Sequence, residues 1–132
     1  MSIKITFPGN LKVDAEVNGF TVHTDQPIRG GGDDTAPSPF DLFLSSMASC
    51  AGIFVLSFCK NRGLDTEGIY LEQDIEFDPV KHKISKVNLS INVPPEFPEK
   101  YYDALVKTAS LCSVKKAIED PPEFNVFTKV SE

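Results

Sequence analysis

The chain has 132 residues, room for a single domain, with 41% hydrophobic and 24% charged side chains. That balance excludes a disordered polar tract and a protein that lives in lipid. The 19 acidic against 13 basic residues leave a net charge of −6. With no basic run, such a surface repels nucleic acid phosphates and acidic headgroups, so neither nucleic acid nor membrane is an expected partner.

The chain opens MSIKITFPGN, where Pro8-Gly9-Asn10 breaks any signal-peptide pattern, and a cytoplasmic location is expected. Ile3, Ile5 and Phe7 alternate with polar residues, as do Leu11, Val13, Ala15 and Val17. Asn18-Gly19 is the pair that accepts positive φ at both centres of a type I′ turn, and Phe20 to Thr24 returns as a third strand. An antiparallel meander is expected. Residues 25–37, rich in Gly, Asp and Pro, read as a flexible connection: no Gly-Lys-Ser/Thr follows the glycines, and Asp33 and Asp34 repel an anion.

Ser38-Pro39-Phe40-Asp41 is a helix start, with Ser38 as cap, Pro39 at the first helical position and Asp41 closing a capping box. The helix should run to about Asn61-Arg62 and end at Gly63. From Leu42 to Phe58 it carries no charge, which reaches the short end of a membrane span of about 17–25 residues. Four serines and Gly52 dilute it, and a buried core helix is the expected role. Its apolar positions run almost all the way round, and a helix apolar on every side must be covered on every side. One sheet from this chain covers one side, so a tight homodimer is expected.

Ile69, Leu71, Ile75 and Phe77 alternate with polar residues and should pair, across the Asp78-Pro79-Val80-Lys81-His82 turn, with Val87, Leu89, Ile91 and Val93. Pro94-Pro95 and Pro98 open a second helix, expected to reach about Ile118, with Tyr101, Leu105, Ala109 and Cys112 on one face. Phe124, Val126, Thr128 and Val130 then predict a last strand. The order βββαββαβ gives the class α+β, in one domain spanning 1–132.

Three cysteines are no disulfide framework, and neither a CxxC spacing nor a histidine near a cysteine suggests a metal. Cys59 follows Cys50 by nine residues, half a turn round a helix, so the two face opposite ways. If a redox couple exists, geometry favours Cys50 with Cys112. On residue physics alone the first reading of all three, and of Cys59 above all, is a small buried hydrophobe. Ala48, Ser49, Ala51 and Gly52 leave room at Cys50 for a ligand, and also for close helix packing.

Pro37-Ser38-Pro39-Phe40-Asp41-Leu42-Phe43-Leu44 and Ser46-Met47-Ala48-Ser49-Cys50 resemble the first-cysteine helix of the OsmC/Ohr family. Leu111-Cys112-Ser113-Val114 resembles its second-cysteine motif, and the Gly30-Gly31-Gly32-Asp33-Asp34 loop also matches. The resemblance covers nearly the whole chain and is strongest to the YhfA-like branch. It implies an OsmC-like fold, with antiparallel sheets packed on two long central helices of an intertwined homodimer. It also implies a thiol peroxidase acting on organic hydroperoxides and hydrogen peroxide, without cofactor or metal. Cys50 would become a sulfenic acid, Cys112 would resolve it as a disulfide, and a separate dithiol reductant would reopen that bond.

Established peroxidases of the family carry a Glu ten residues before the first cysteine and an Arg from the N-terminal region. Here Phe40 stands at that spacing, and Asp41 and Arg29 are the nearest candidates for steadying the thiolate; Lys4, Lys12 and His23 are further cations. A thiol has a pKa near ~8.5, and Cys50 lies too deep in its helix for the dipole to help, so a cation is expected to approach it from elsewhere, across the dimer. Cys112, read as late in a continuous helix, would sit near a negative end, with Lys115 and Lys116 complementing that dipole. The alternatives are a non-catalytic stress protein and a dimer that binds a small ligand or a persulfide.

Overall fold

A computed structural model describes residues 1–131. The fold is α+β and divides into two units, Met1–Ser46 and Met47 onward.

The first unit is the expected meander: β1 (Lys4–Gly9), β2 (Lys12–Val17) and β3 (Phe20–Thr24), antiparallel in that order. Asn18 and Gly19 take φ of 50° and 82°, as a type I′ turn requires. The loop that follows is not the flexible connection expected from its composition. Asp25 is fully buried, and its carboxylate accepts the backbone N–H of Gln26 at 2.7 Å, that of Thr35 at 3.0 Å and the Thr35 hydroxyl at 2.7 Å. These donors hold the Asp25 carboxyl far below the usual carboxylate range. Gly32 closes against the Gln26 carbonyl, which a Cβ would meet at 2.0 Å, so no other residue fits there. Composition signals a loop, and one buried carboxylate turns that loop into a fixed structure.

Helix α1 runs Pro39–Asn61. The Ser38 N–H donates to the Asp41 carboxylate and the Asp41 N–H to the Ser38 hydroxyl, each at 3.2 Å, completing the capping box. At the other end Gly63, φ +64°, lets the Leu64 N–H reach the Cys59 carbonyl at 2.9 Å. The helix is long and apolar enough to cross a membrane, but within one chain only Ala51, Val55, Phe58 and Cys59 are buried. One chain thus covers a single stripe of the helix, as expected of one sheet. Phe40, Phe43, Ile53 and Leu56 stay exposed.

The second unit adds β4 (Tyr70–Asp78) and β5 (Lys83–Asn92), an antiparallel pair joined by a turn in which Asp78 Oδ1 accepts the N–H groups of Val80 and Lys81. Leu71, Gln73 and Ile75 point toward the core, while the register shifts between Glu76 and Phe77 and leaves Phe77 exposed, against its expected place in the inward alternation. The core itself joins the buried α1 residues to Phe97, Leu105 and Ala109.

Two elements differ from the sequence reading. The second helix is broken into α2 (Tyr102–Ala109) and α3 (Ser113–Glu119). Ser110, Leu111 and Cys112 interrupt it, yet Leu105, Ala109 and Cys112 still share one buried face, so the period stayed in phase across the break. The expected strand over Phe124–Val130 does not form within the chain; those apolar side chains are exposed. Strand residues need a neighbouring edge to bond to, and in a single chain this segment finds none.

Candidate active site

The break after α2 builds the site. Because the chain leaves the helix at Ser110 and re-enters at Ser113, Cys112 becomes the N-cap of α3 rather than a residue near a helix C-terminus. Its Sγ accepts the Lys115 backbone N–H at 3.5 Å, and its thiol donates to the Met47 carbonyl of α1 at 3.7 Å. Cys112 is 2% exposed.

Cys50, one turn along α1 from Met47, is half-buried and meets the same break. The Val114 N–H, the Cys112 thiol and the Ser113 N–H bond to its sulfur and lower its pKa below the ordinary 9.0. The opposite happens at Cys112. Burial first, then the bond to Cys50, push its pKa up. The two adjacent thiols are driven apart in this way, Cys50 becoming the more acidic of the pair.

Within one chain it is the backbone N–H groups at the start of α3, together with the Cys112 thiol, that lower the Cys50 pKa. Sequence reasoning missed Ser113 and Val114 because their contribution comes from the main chain. The only available signal was the pair Ser110 and Ser113 flanking Cys112, residues that favour caps over helix interiors. Lys115 consequently lies in the first turn of a new helix, not the last turn of an old one.

The other candidates have structural positions in the first unit. Asp41 is occupied by the capping box, and Arg29 stands in a 3₁₀ turn, Ile28–Gly30. Lys12 pairs with Asp33, and His23 lies 3.0 Å from Asp14. Cys59, fully buried against the core, is pushed up by burial.

A cavity of about 610 Å³ opens beside Cys112. Met47, Leu89, Ile91 and Leu105 make its wall apolar, Cys112 touches it, and Lys115 and Glu119 stand among the polar residues that line it.

The OsmC-like protein family model matches residues 31–127. The chain belongs to the OsmC-like family. Among solved structures, a Psychrobacter arcticus protein named for osmotic stress induction and a detoxification response is 26% identical, with 89% of this chain and 87% of that one covered and a TM-score of 0.73. An organic hydroperoxide resistance protein OsmC from Legionella pneumophila, described also as a predicted redox protein and regulator of sulfide bond formation, is 19% identical (89% and 87% covered, TM-score 0.55). The organic hydroperoxide resistance protein OhrB of Bacillus subtilis is 17% identical (92% and 93% covered, TM-score 0.52). These last two share the fold. No curated protein sequence matches.

Proposed function

We propose that this OsmC-like protein is a cysteine-based peroxidase that reduces organic hydroperoxides, and hydrogen peroxide, with Cys50 as nucleophile and Cys112 as the resolving thiol. The observation that carries this reading is the half-exposed Cys50 sulfur receiving the N–H groups of Ser113 and Val114 beside a buried, protonated Cys112. Membership in a family whose solved relatives include proteins named for organic hydroperoxide resistance supports it.

The chemistry follows from the two pKa directions. The Cys50 thiolate attacks the outer peroxide oxygen, the O–O bond breaks, and the alkoxide takes a proton from water to leave as an alcohol. Cys50 is now a sulfenic acid. Cys112 attacks its sulfur, and water leaves as the disulfide closes. Across both steps two thiols lose two electrons and the hydroperoxide gains them. A dithiol reductant reopens the bond. The apolar cavity suits the organic part of a substrate.

A second copy of the chain would cover the apolar residues of α1 that a single chain leaves exposed, Ile53 and Leu56 among them. A homodimer is part of this proposal, and so is a reducing cytoplasm, where free thiols are the resting state.

The test is addition of one equivalent of cumene hydroperoxide to the reduced protein, followed by tryptic mass mapping. A Cys50–Cys112 crosslink is expected. An unoxidised Cys50, or a Cys50→Ser protein that still consumes peroxide, would sink the reading. The cavity favours one alternative, a dimer that holds a small apolar ligand or accepts a persulfide without peroxide chemistry. That protein would leave cumene hydroperoxide untouched.

A further inference from the structure

In the reduced protein Cys112 Sγ holds two contacts, one that a disulfide must lose and one that it strains. It accepts the Lys115 N–H and so caps α3, and through its thiol proton it ties the start of α3 to the Met47 carbonyl. A disulfide sulfur has no proton to give Met47, and its new bond turns it toward Cys50.

Besides the Ser113 and Val114 N–H groups at Cys50, helix α3 has little else within the chain to hold it. It is seven residues long with none buried, well under the length at which a helix persists alone. Yet it supplies Lys115, Ile118 and Glu119 to the lining of the apolar cavity. Whatever loosens α3 therefore loosens one wall of that cavity.

We infer that closing the Cys50–Cys112 disulfide uncaps α3 and opens the cavity on that side, so the step that completes the chemistry also lets the alcohol product leave. This inference rests on the peroxidase reading for its trigger. The redox balance is that of that reading: two thiols become one disulfide while the hydroperoxide becomes alcohol and water. Reduction by the dithiol restores the cap and closes the wall before the next substrate.

Hydrogen exchange over residues 113–119 tests it, with the disulfide state read by mass as the loss of two hydrogens. Four samples are compared: reduced and oxidised native protein, and the reduced Cys112→Ser and Cys112→Ala variants. A serine hydroxyl caps a helix and alanine does not. The Lys115 amide should exchange about tenfold faster in the oxidised protein and in Cys112→Ala than in the reduced protein or Cys112→Ser. Equal protection in reduced and oxidised protein would overturn the switch, as would a Cys112→Ala variant that exchanges like the native chain.

Two oxidants separate this inference from the one beneath it. If diamide closes the disulfide and uncaps α3 while cumene hydroperoxide leaves both thiols free, the peroxidase reading fails and the switch stands. If cumene hydroperoxide closes the disulfide and α3 stays protected, the reverse holds. A disulfide that neither oxidant can close overturns both.

Discussion

Cys50 and Cys59 stand on the same helix, nine residues apart, and their surroundings give them opposite chemistry. Cys59 faces the core with no exposure, and burial raises its pKa. Cys50 faces a chain break whose free N–H groups favour the anion, and its pKa falls. Neither helix position nor distance from a cation separates them. What separates them is that one sulfur meets hydrocarbon and the other meets unpaired backbone donors. At Cys50 a thiol is made more acidic by the start of a neighbouring helix.

The strongest way to break that contrast is to delete each sulfur. Cys50→Ser should lower peroxide consumption by at least about a thousandfold, because an alcohol is not ionised at neutral pH. Cys59→Ala should leave the rate unchanged and cost about 1–2 kcal/mol of stability through the cavity it creates, read by urea denaturation. A Cys59→Ala protein that loses activity while staying folded would show that the contrast is misdrawn.

Next comes the exposed side of the same helix. Ile53 is 54% exposed in a single chain, and there Ile53→Glu should move stability by only about 0.5 kcal/mol. In a dimer built on that face the same change places a charge in the interface. Sedimentation should then show Ile53→Glu as a monomer, and a variant that sediments like the native protein would place the interface elsewhere.

Titration sharpens the contrast further. A lowered pKa puts the rise in thiolate at lower pH, so Cys50 alkylation by iodoacetamide should pass its midpoint below pH 9.0. Cys59, raised by burial, should remain unmodified over that range in folded protein. An inflection for Cys50 at or above 9.0 would contradict the assignment of the N–H donors.

The smallest effect expected lies far from either sulfur. Ser38→Ala removes half of the α1 capping box and should cost about 1 kcal/mol without altering the alkylation profile.

Local chemistry made much of this legible in the residues alone. Ser38 and Asp41 mark a helix start, Gly63 a helix end and Asn18-Gly19 a hairpin, because each acts within a few residues of itself. The two cysteines could be chosen as a pair from their motifs and from the half turn that separates Cys50 from Cys59. The break at Cys112 escaped notice because Leu105, Ala109 and Cys112 keep helical spacing through it. The Asp25 loop escaped because its glycines and aspartates look the same whether solvated or anchored.

The sequence by itself determined the α+β class, the meander and the long apolar helix, and it singled out Cys50 and Cys112 as the candidate pair. These depend on periodicity and capping, which short stretches of chain encode. Only the tertiary structure decided which of the two thiols is the more acidic. That outcome depends on where the Ser113 and Val114 N–H groups point, and every residue has such a group, so no pattern of side chains records it.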